Sequence, residues 1–280
     1  MIWKTARRKI SLDRPLVMAI LNVTPDSFSD GGRYVTPDAA LWRVEEIIAE
    51  GADIIDIGGE STRPGSRRVT ADEECERVLP VIAAIKERFD VLVSIDTSKA
   101  EVARAAVEAG AEIINDIAGL RWDPEIANAA AASSVGLVLM HSRGEFATMH
   151  TQPPVEDVIE EVTSGLRHSV AEARQRGVWN EQIVLDIGIG FGKTPEQNLE
   201  LLAKLDKLST SLGGFPLLVG VSRKSFIAKT LGDMPPEERL PASLAAAAVA
   251  VVNGARIVRA HDVRETVQAV RLAAAILEQR

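Results

Sequence analysis

A chain of 280 residues with 46% apolar side chains can bury one large α/β core or two ordinary ones. Its formal charge of −8, from 40 acids against 32 bases, argues against generic nucleic-acid binding, while leaving room for a small anion in a local positive pocket. Cys75 is the one cysteine, so an internal disulfide and a thiolate metal cluster are excluded; among the acids of TADEECERV it reads as a spectator thiol.

Residues 1–14 are basic but are followed by no apolar run of signal-peptide form. PLVMAIL is too short to cross a membrane, so the expected location is the cytoplasm. This segment reads as a short N-terminal extension of a single domain spanning residues 1–280. Eight near-continuous apolar runs then follow as predicted strands: 16–21, 53–57, 91–95, 112–116, 136–140, 182–187, 216–220 and 255–260. Helices are predicted between them. Thr36, Asp123 and Thr194 each precede a proline at a first helical position, and Thr70 with Glu73, Ser98 with Glu101 and Asp262 with Glu265 fit capping boxes. Val155–Arg176 reads as one long helix. EGADIIDIGG (50–59), AGAEIINDIAG (109–119) and NGARIVRAHD (253–262) repeat one joint, from helix end through Gly-Ala into a strand. Eight βα units without a Pro- or Ser-rich linker predict a single (β/α)8 TIM barrel, with a doubly wound open sheet as runner-up.

In such a barrel function gathers at the C-terminal ends of the strands. Those ends carry Asn22, Asp56, Gly58 to Gly65, Asp96, Asn115 and Asp116, His141 and Arg143, Asp186, Ser222 to Lys224, and Arg259 to Asp262, whereas the opposite ends are mostly Gly-Ala, Phe-Asp or Phe-Pro. With Ser98 and Thr194 placed to cap their helices, Asp96 and Asp186 are expected to face a ligand. The cations Arg63, Lys193, Arg223, Lys224 and Arg259 suggest an anionic ligand, with Arg67 and Arg68 read as solvated loop charges. His141 is expected to serve structure or anchor a lid. GIGFGKT lacks the first glycine of a nucleotide P-loop, and the four histidines form no HExxH or close triad. A magnesium ion carried in by a phosphorylated substrate would need only one or two oxygen ligands. Carboxylates and amides on a flat floor can read the amidine-like edge of a nitrogen heterocycle, with a lysine for a ring carbonyl and a guanidinium plane to stack on the ring. The substrate expected is therefore a nitrogen heterocycle with an anionic leaving group.

The segments NVTPDSFSDGG (22–32), DIIDIGGESTRPG (53–65), VSIDTSK (93–99), INDIAG (114–119), DIGIGFGKT (186–194), GVSRKSFI (220–227) and RIVRAHDV (256–263) together resemble the dihydropteroate synthase family, from about Leu16 to the last helix. The resemblance implies a TIM barrel of folate biosynthesis that joins 6-hydroxymethyl-7,8-dihydropterin diphosphate to p-aminobenzoate with Mg²⁺ assisting. By motif position it implies a pterin pocket of Asp96, Asn115, Asp186 and Lys224 with Arg259 stacked over the ring. Asn22, Arg63, Arg259 and His261 would engage the diphosphate, Asn22 also its metal ion, and Phe28, Thr62, Pro64 and Ser222 would surround the aminobenzoate. Asp96, Arg63 and Lys224 are the residues expected to serve catalysis directly. Members are usually homodimers and sulfonamide targets. The polar 22–32 loop would then be a lid, anchored by Asn22 and carrying Phe28, that keeps a reactive cation from water.

Two positions depart from the family pattern. Ile187 stands where a proline is usual, which gives up a fixed φ, and Pro241 lies in RLPASLAAA where a small pair is typical. Two other readings share the pterin floor: a pterin-binding methyltransferase domain, which would need neither the diphosphate rim nor the lid, and a non-catalytic pterin-binding paralogue.

Overall fold

A computed structural model describes residues 1–24, 37–63 and 65–279. Eight parallel strands close into a barrel: β3 (Leu16–Asn22), β4 (Ile54–Gly58), β5 (Leu92–Asp96), β6 (Ile113–Asp116), β7 (Gly136–Met140), β8 (Ile183–Asp186), β9 (Leu217–Gly220) and β10 (Ala255–Ala260), which pairs back onto β3. Each coincides with a predicted strand to within a residue or so, and the ring closes as expected instead of opening into a doubly wound sheet. The hairpin of β1 (Ile2–Lys4) and β2 (Lys9–Ser11) precedes them; its three-residue strands are too short to show a period in the sequence.

The helices form an outer layer: α1 (Pro37–Ala49), α2 (Ala71–Arg88), α3 (Ala100–Glu108), α4 (Glu125–Ser133), α5 (Val158–Gln175), α6 (Pro195–Ala203), α7 (Leu205–Ser211), α8 (Ser225–Leu231), α9 (Leu240–Val252) and α10 (Val263–Leu277). Thr70 caps α2 by accepting from the Glu73 N–H at 3.1 Å, and Thr194 and Gln197 form a reciprocal capping box on α6. Thr36 lies outside the described residues. The Ser98 and Asp262 caps are not made. Asp123 reaches across instead and accepts from Ala100 N at 2.7 Å, while Asp262 turns to the Arg223 guanidinium. A charge and a neighbouring loop outcompete the local cap in each case. Pro241 sits in the first turn of α9, where its missing N–H costs nothing.

Side chains alternate in and out along each strand, so residues two apart share a face. Met18, Ile54, Leu92, Ile113, Val138, Val184, Leu218 and Ile257 form one apolar plug together with Leu16 at the start of β3 and Trp3, Ile10 and Leu12 of the N-terminal segment. The next inward positions, two residues on, are Ile20, Asp56, Ser94, Asn115, Met140, Asp186, Gly220 and Arg259, of which only Ile20 and Met140 carry large apolar side chains. The barrel is thus dry below and polar at its C-terminal mouth, and the hairpin seals the dry end. Trp3 is fully buried there; its indole N–H donates to the Gln182 carbonyl at 2.7 Å, and the ring lies where a Gly136 Cβ would come within 2.9 Å of it. Glu112, also at this end, is buried and paired with Lys86 at 3.1 Å and Arg8 at 3.3 Å. The N-terminal segment, expected as a short extension, thus contributes Trp3, Ile10 and Leu12 to the core beneath the barrel.

Trp3→Ala should cost about 3–5 kcal/mol in urea unfolding, while kcat/KM of the folded fraction stays unchanged because Trp3 sits at the end opposite the mouth. A loss under about 1 kcal/mol would mean that the hairpin does not seal the core.

Candidate active site

Strand register sets the floor of the site. Asn22, Gly58, Asp96 and Asn115 stand side by side in one row across β3, β4, β5 and β6, and Gly220 pairs with Arg259 across β9 and β10. Gly58 lies between the two side chains: a Cβ there would stand in ordinary contact with Asn22 Oδ1 at 3.5 Å and Asp96 Cβ at 3.7 Å.

Arg259 is the centre of this mouth. Its Nε donates to Asp56 at 2.6 Å and its Nη2 to Asp96 at 2.6 Å. Asn115 Nδ2 donates to the same Asp56 oxygen at 3.0 Å. Asp56 is fully buried and so acts from beneath, holding two residues that face the mouth. The two carboxylates push the Arg259 pKa above its ordinary value against the effect of burial. Burial pushes Asp96 upward, and Arg259 opposes the shift.

On the far side of the mouth, Asp186 is buried, with its pKa raised by burial against the pull of Lys224. Its carboxylate accepts from the Gly188 N–H at 2.7 Å. That bond needs the turn at Gly188, whose φ is +66° and whose Cβ, if present, would lie 1.8 Å from the His141 carbonyl oxygen. Ile187, where the family pattern has a proline, is fully buried, and Asp186 keeps its bond from the Gly188 N–H. Lys224 donates to the Ile189 carbonyl and lies 4.7 Å from the Phe191 ring centroid. Burial brings its pKa down to about 8, with Asp186 opposing.

Lys193 does not face a ligand as expected. Its ammonium donates to three carbonyls, those of His141 at 3.3 Å, Gly188 at 2.8 Å and Phe191 at 3.0 Å, and burial lowers its pKa to about 7. It pins the 187–192 turn from behind. Arg223 is likewise committed to Asp262, at 3.0 Å. His141 is buried against Gly165 and held well below its ordinary pKa by burial, in keeping with a structural role. Asp116 caps its own loop by accepting from Ala118 N and Leu120 N.

At the rim, His261 Nδ1 lies 3.1 Å from Ser222 Oγ, which also accepts from the His261 N–H at 3.2 Å. Burial, then the charges of Arg259 and Arg223, bring the His261 pKa down to about 4, with Arg63 adding to the effect. It is a neutral hydrogen-bonding group at pH 7 and not a standing cation. The loop that carries Thr62 and Arg63 rests on a buried strut: Lys99 pairs with Glu74 at 2.5 Å and Glu60 at 3.1 Å, and Glu60 accepts from Val69 N at 2.6 Å. Arg67 makes a surface pair with Glu73, and Arg68, exposed as expected of a solvated loop charge, also lies over the Trp122 and Phe146 rings. Phe28 and Pro64 lie outside the described residues, as does the 22–32 loop beyond Thr24.

Asp96, Asn115, Asp186, Lys224 and Arg259 thus meet at one mouth, with Asn22, Arg63, Ser222 and His261 around it. Asp56, Glu60, Lys99 and Lys193 support them and were not assigned such a part from sequence. Asp56 was within reach, since it lies two residues after Ile54 on the same face. The partners of Lys99 and Lys193 come from distant loops and leave no local signal. Among the described residues no group of three or more acids, histidines or cysteines is arranged to hold a metal by itself. Asn22 offers one hard oxygen beside the row of Asp96, which suits a Mg²⁺ that takes its other ligands from water and phosphate.

A family model described as pterin binding enzyme matches residues 18–261. The dihydropteroate synthase of Synechocystis sp. is 47% identical over 263 residues, covering 94% of this chain and 90% of the relative, and that of Escherichia coli K12 is 46% identical over 271 residues, covering 97% and 95%. Among solved structures, a Yersinia pestis dihydropteroate synthase with a sulfonamide drug complex superposes with a TM-score of 0.92 at 42% identity over the whole of both chains. A Xanthomonas albilineans dihydropteroate synthase with 4-aminobenzoic acid gives 0.91 at 43% identity, covering 98% of this chain and 97% of the other. A shared barrel, shared motifs at its mouth and this level of identity along the full length lead to one conclusion: the chain belongs to the dihydropteroate synthase family of pterin-binding enzymes.

Proposed function

We propose that Asp96, Asn115, Asp186 and Lys224 hold the pterin of the dihydropteroate synthase reaction while Arg63, Asn22 and His261 receive its diphosphate. That reaction joins 6-hydroxymethyl-7,8-dihydropterin diphosphate to p-aminobenzoate and releases 7,8-dihydropteroate and diphosphate. The observation that carries the assignment is the convergence of these strand-end residues around Arg259, in a chain 47% identical to a curated synthase.

The Asp186 carboxylate would accept N–H groups from the pterin's amino-pyrimidine edge, and Asn115 would donate and accept beside it. Lys224 would donate to the ring carbonyl, since an ammonium has three donors and Ile189 takes one. Arg259 uses two of its five N–H groups on Asp56 and Asp96, which locks the guanidinium plane and leaves its face for the ring. As the methylene carbon–oxygen bond breaks, the electron-rich dihydropterin shares the positive charge, and the nearby Asp96 carboxylate favours it. Arg63 would stabilise the departing diphosphate. The neutral arylamine, held by Thr62 and Ser222 together with Phe28 and Pro64, then forms the carbon–nitrogen bond, and its proton passes to diphosphate or water. Mg²⁺, entering with the diphosphate and taking one oxygen from Asn22, would neutralise leaving-group charge.

A homodimer belongs to the same reading. The segment Leu240–Val252 of α9 carries no charged residue, Val249 is 47% exposed on it, and Leu272 and Ile276 of the adjoining α10 are exposed as well. No helix of the described residues is long and apolar enough to cross a membrane, and we place the enzyme in the cytoplasm. Sulfonamides, as mimics of the arylamine substrate, would compete at the Thr62 and Ser222 side.

Purified protein should release diphosphate only when both substrates are present; tight pterin binding without turnover would contradict the synthase assignment. Asp186→Ala should weaken pterin binding by about 10- to 100-fold, whereas Arg63→Ala should chiefly lower kcat, by about 10²-fold or more. Equal effects of both on pterin affinity would reverse the division of roles.

Lys224 predicts a pH dependence. Its depressed pKa keeps it charged below about 8 and neutral above. Pterin affinity should therefore fall as pH rises through about 8. An unperturbed lysine would hold its charge, and the affinity, to about pH 10. Calorimetric titration with a pterin across this range separates the two.

A further inference from the structure

One contact ties together the loops that follow β4, β7 and β8. His150 Nε2 lies 2.7 Å from the Thr62 carbonyl oxygen; that oxygen only accepts, so Nε2 carries the hydrogen. The other face of the contact is aromatic, for the His150 ring lies 5.6 Å from the Phe191 ring at an interplanar angle of 34°. Phe191 is in turn the ring over which Lys224 sits, at 4.7 Å. The loop that presents His150 is itself anchored. Met149 is buried, Arg143 donates to the carbonyls of Pro153 at 2.6 Å and Gly192 at 2.9 Å, and Thr151 N donates to the Thr148 carbonyl at 3.0 Å. By contrast, the bonds around Thr62 within its own loop are short-range ones, Ser66 N to the Arg63 carbonyl at 3.0 Å and the Ser66 and Ser61 hydroxyls at 2.9 Å.

We infer that His150 is a positioning residue for the aminobenzoate half of the site. Its N–H fixes the Thr62 carbonyl, and so the Thr62–Arg63 segment, against a support whose far side is the pterin floor at Phe191 and Lys224. The substrate side chains stay those already assigned; His150 sets the spacing between them. The inference rests on the assignment of Thr62 and Ser222 to the aminobenzoate. The strut holds the base of this loop at Glu60, whereas the bonds beside Thr62 are local, and fixing the Thr62–Arg63 segment in advance removes its ordering cost from binding. The effect belongs in the KM for p-aminobenzoate, because His150 touches no reacting atom.

The test is steady-state kinetics on the full chain with His150→Ala, His150→Gln and, as an independent probe of the half-site, Ser222→Ala. His150→Ala should raise the KM for p-aminobenzoate about tenfold, with kcat and pterin affinity within about twofold. His150→Gln, whose amide N–H can reach the Thr62 carbonyl, should recover much of that rise. Phe191→Leu in the His150→Ala background should add little to the KM, since the two residues act through one support. If Ser222→Ala raises this KM and His150→Ala does not, the tether is wrong and the half-site stands. If neither moves it, the half-site assignment fails and the inference fails with it. A rise in His150→Ala that glutamine does not recover, together with a lowered melting midpoint, would show a merely structural residue and also overturn it.

Discussion

The mouth of this barrel depends on one largely buried ion triad. Arg259 is held by Asp56 from below and by Asp96 from the side, each at 2.6 Å. A guanidinium and two carboxylates are costly to take out of water, and each tolerates the site only because the others are present. Removing one partner of such a pair commonly costs about 3–5 kcal/mol, since a buried charge is left uncompensated. The gain is positional. Arg259 cannot swing away, Asn115 is fixed by the same Asp56 oxygen, and Asp96 is kept near a cation that opposes its tendency to take up a proton.

Why this arrangement sits here follows from strand alternation. Two residues along each strand separate the apolar plug, with Ile54, Ile113, Val184 and Ile257, from Asp56, Asn115, Asp186 and Arg259 above it. The plug excludes water from below, so the charges on the floor of the mouth act in a medium of reduced polarity, where their effect on a neighbour is larger. The lowered pKa of Lys224 and the raised one of Asp186 have this common origin, and each opposes the shift of the other. A site of alternating acids and bases is thus self-consistent: its charges are stable only as a set. Such a set is well matched to a ligand that is polar at one edge, planar in the middle and anionic at its leaving group.

Much of this was legible in the sequence, for identifiable reasons. Buried parallel strands read as apolar runs, and Gly-Ala joints mark three of their starts, so all eight barrel strands and the polarity of the two barrel ends could be read directly. Residues that face the mouth follow those runs without delay, which is why Asp96, Asn115, Asp186 and Arg259 stood out. What could not be read is long-range pairing. Ser98 has the spacing of a cap, yet Asp123 from the next loop takes the Ala100 N–H. Lys193 has the look of an anion-binding lysine, yet three carbonyls from two loops claim its ammonium. Trp3 belongs to the core because it meets Gly136 and Gln182, more than a hundred residues away. In each case the deciding partner is distant in the chain, and local propensity carries no trace of it.

Asp56, too deep to touch a ligand, governs the site through Arg259 and Asn115. Calorimetric measurement of pterin binding to Asp56→Asn tests it most directly, since asparagine preserves the shape and removes the charge. The account predicts a folded protein that binds pterin at least about tenfold more weakly. A folded variant with the affinity of the parent chain would contradict it.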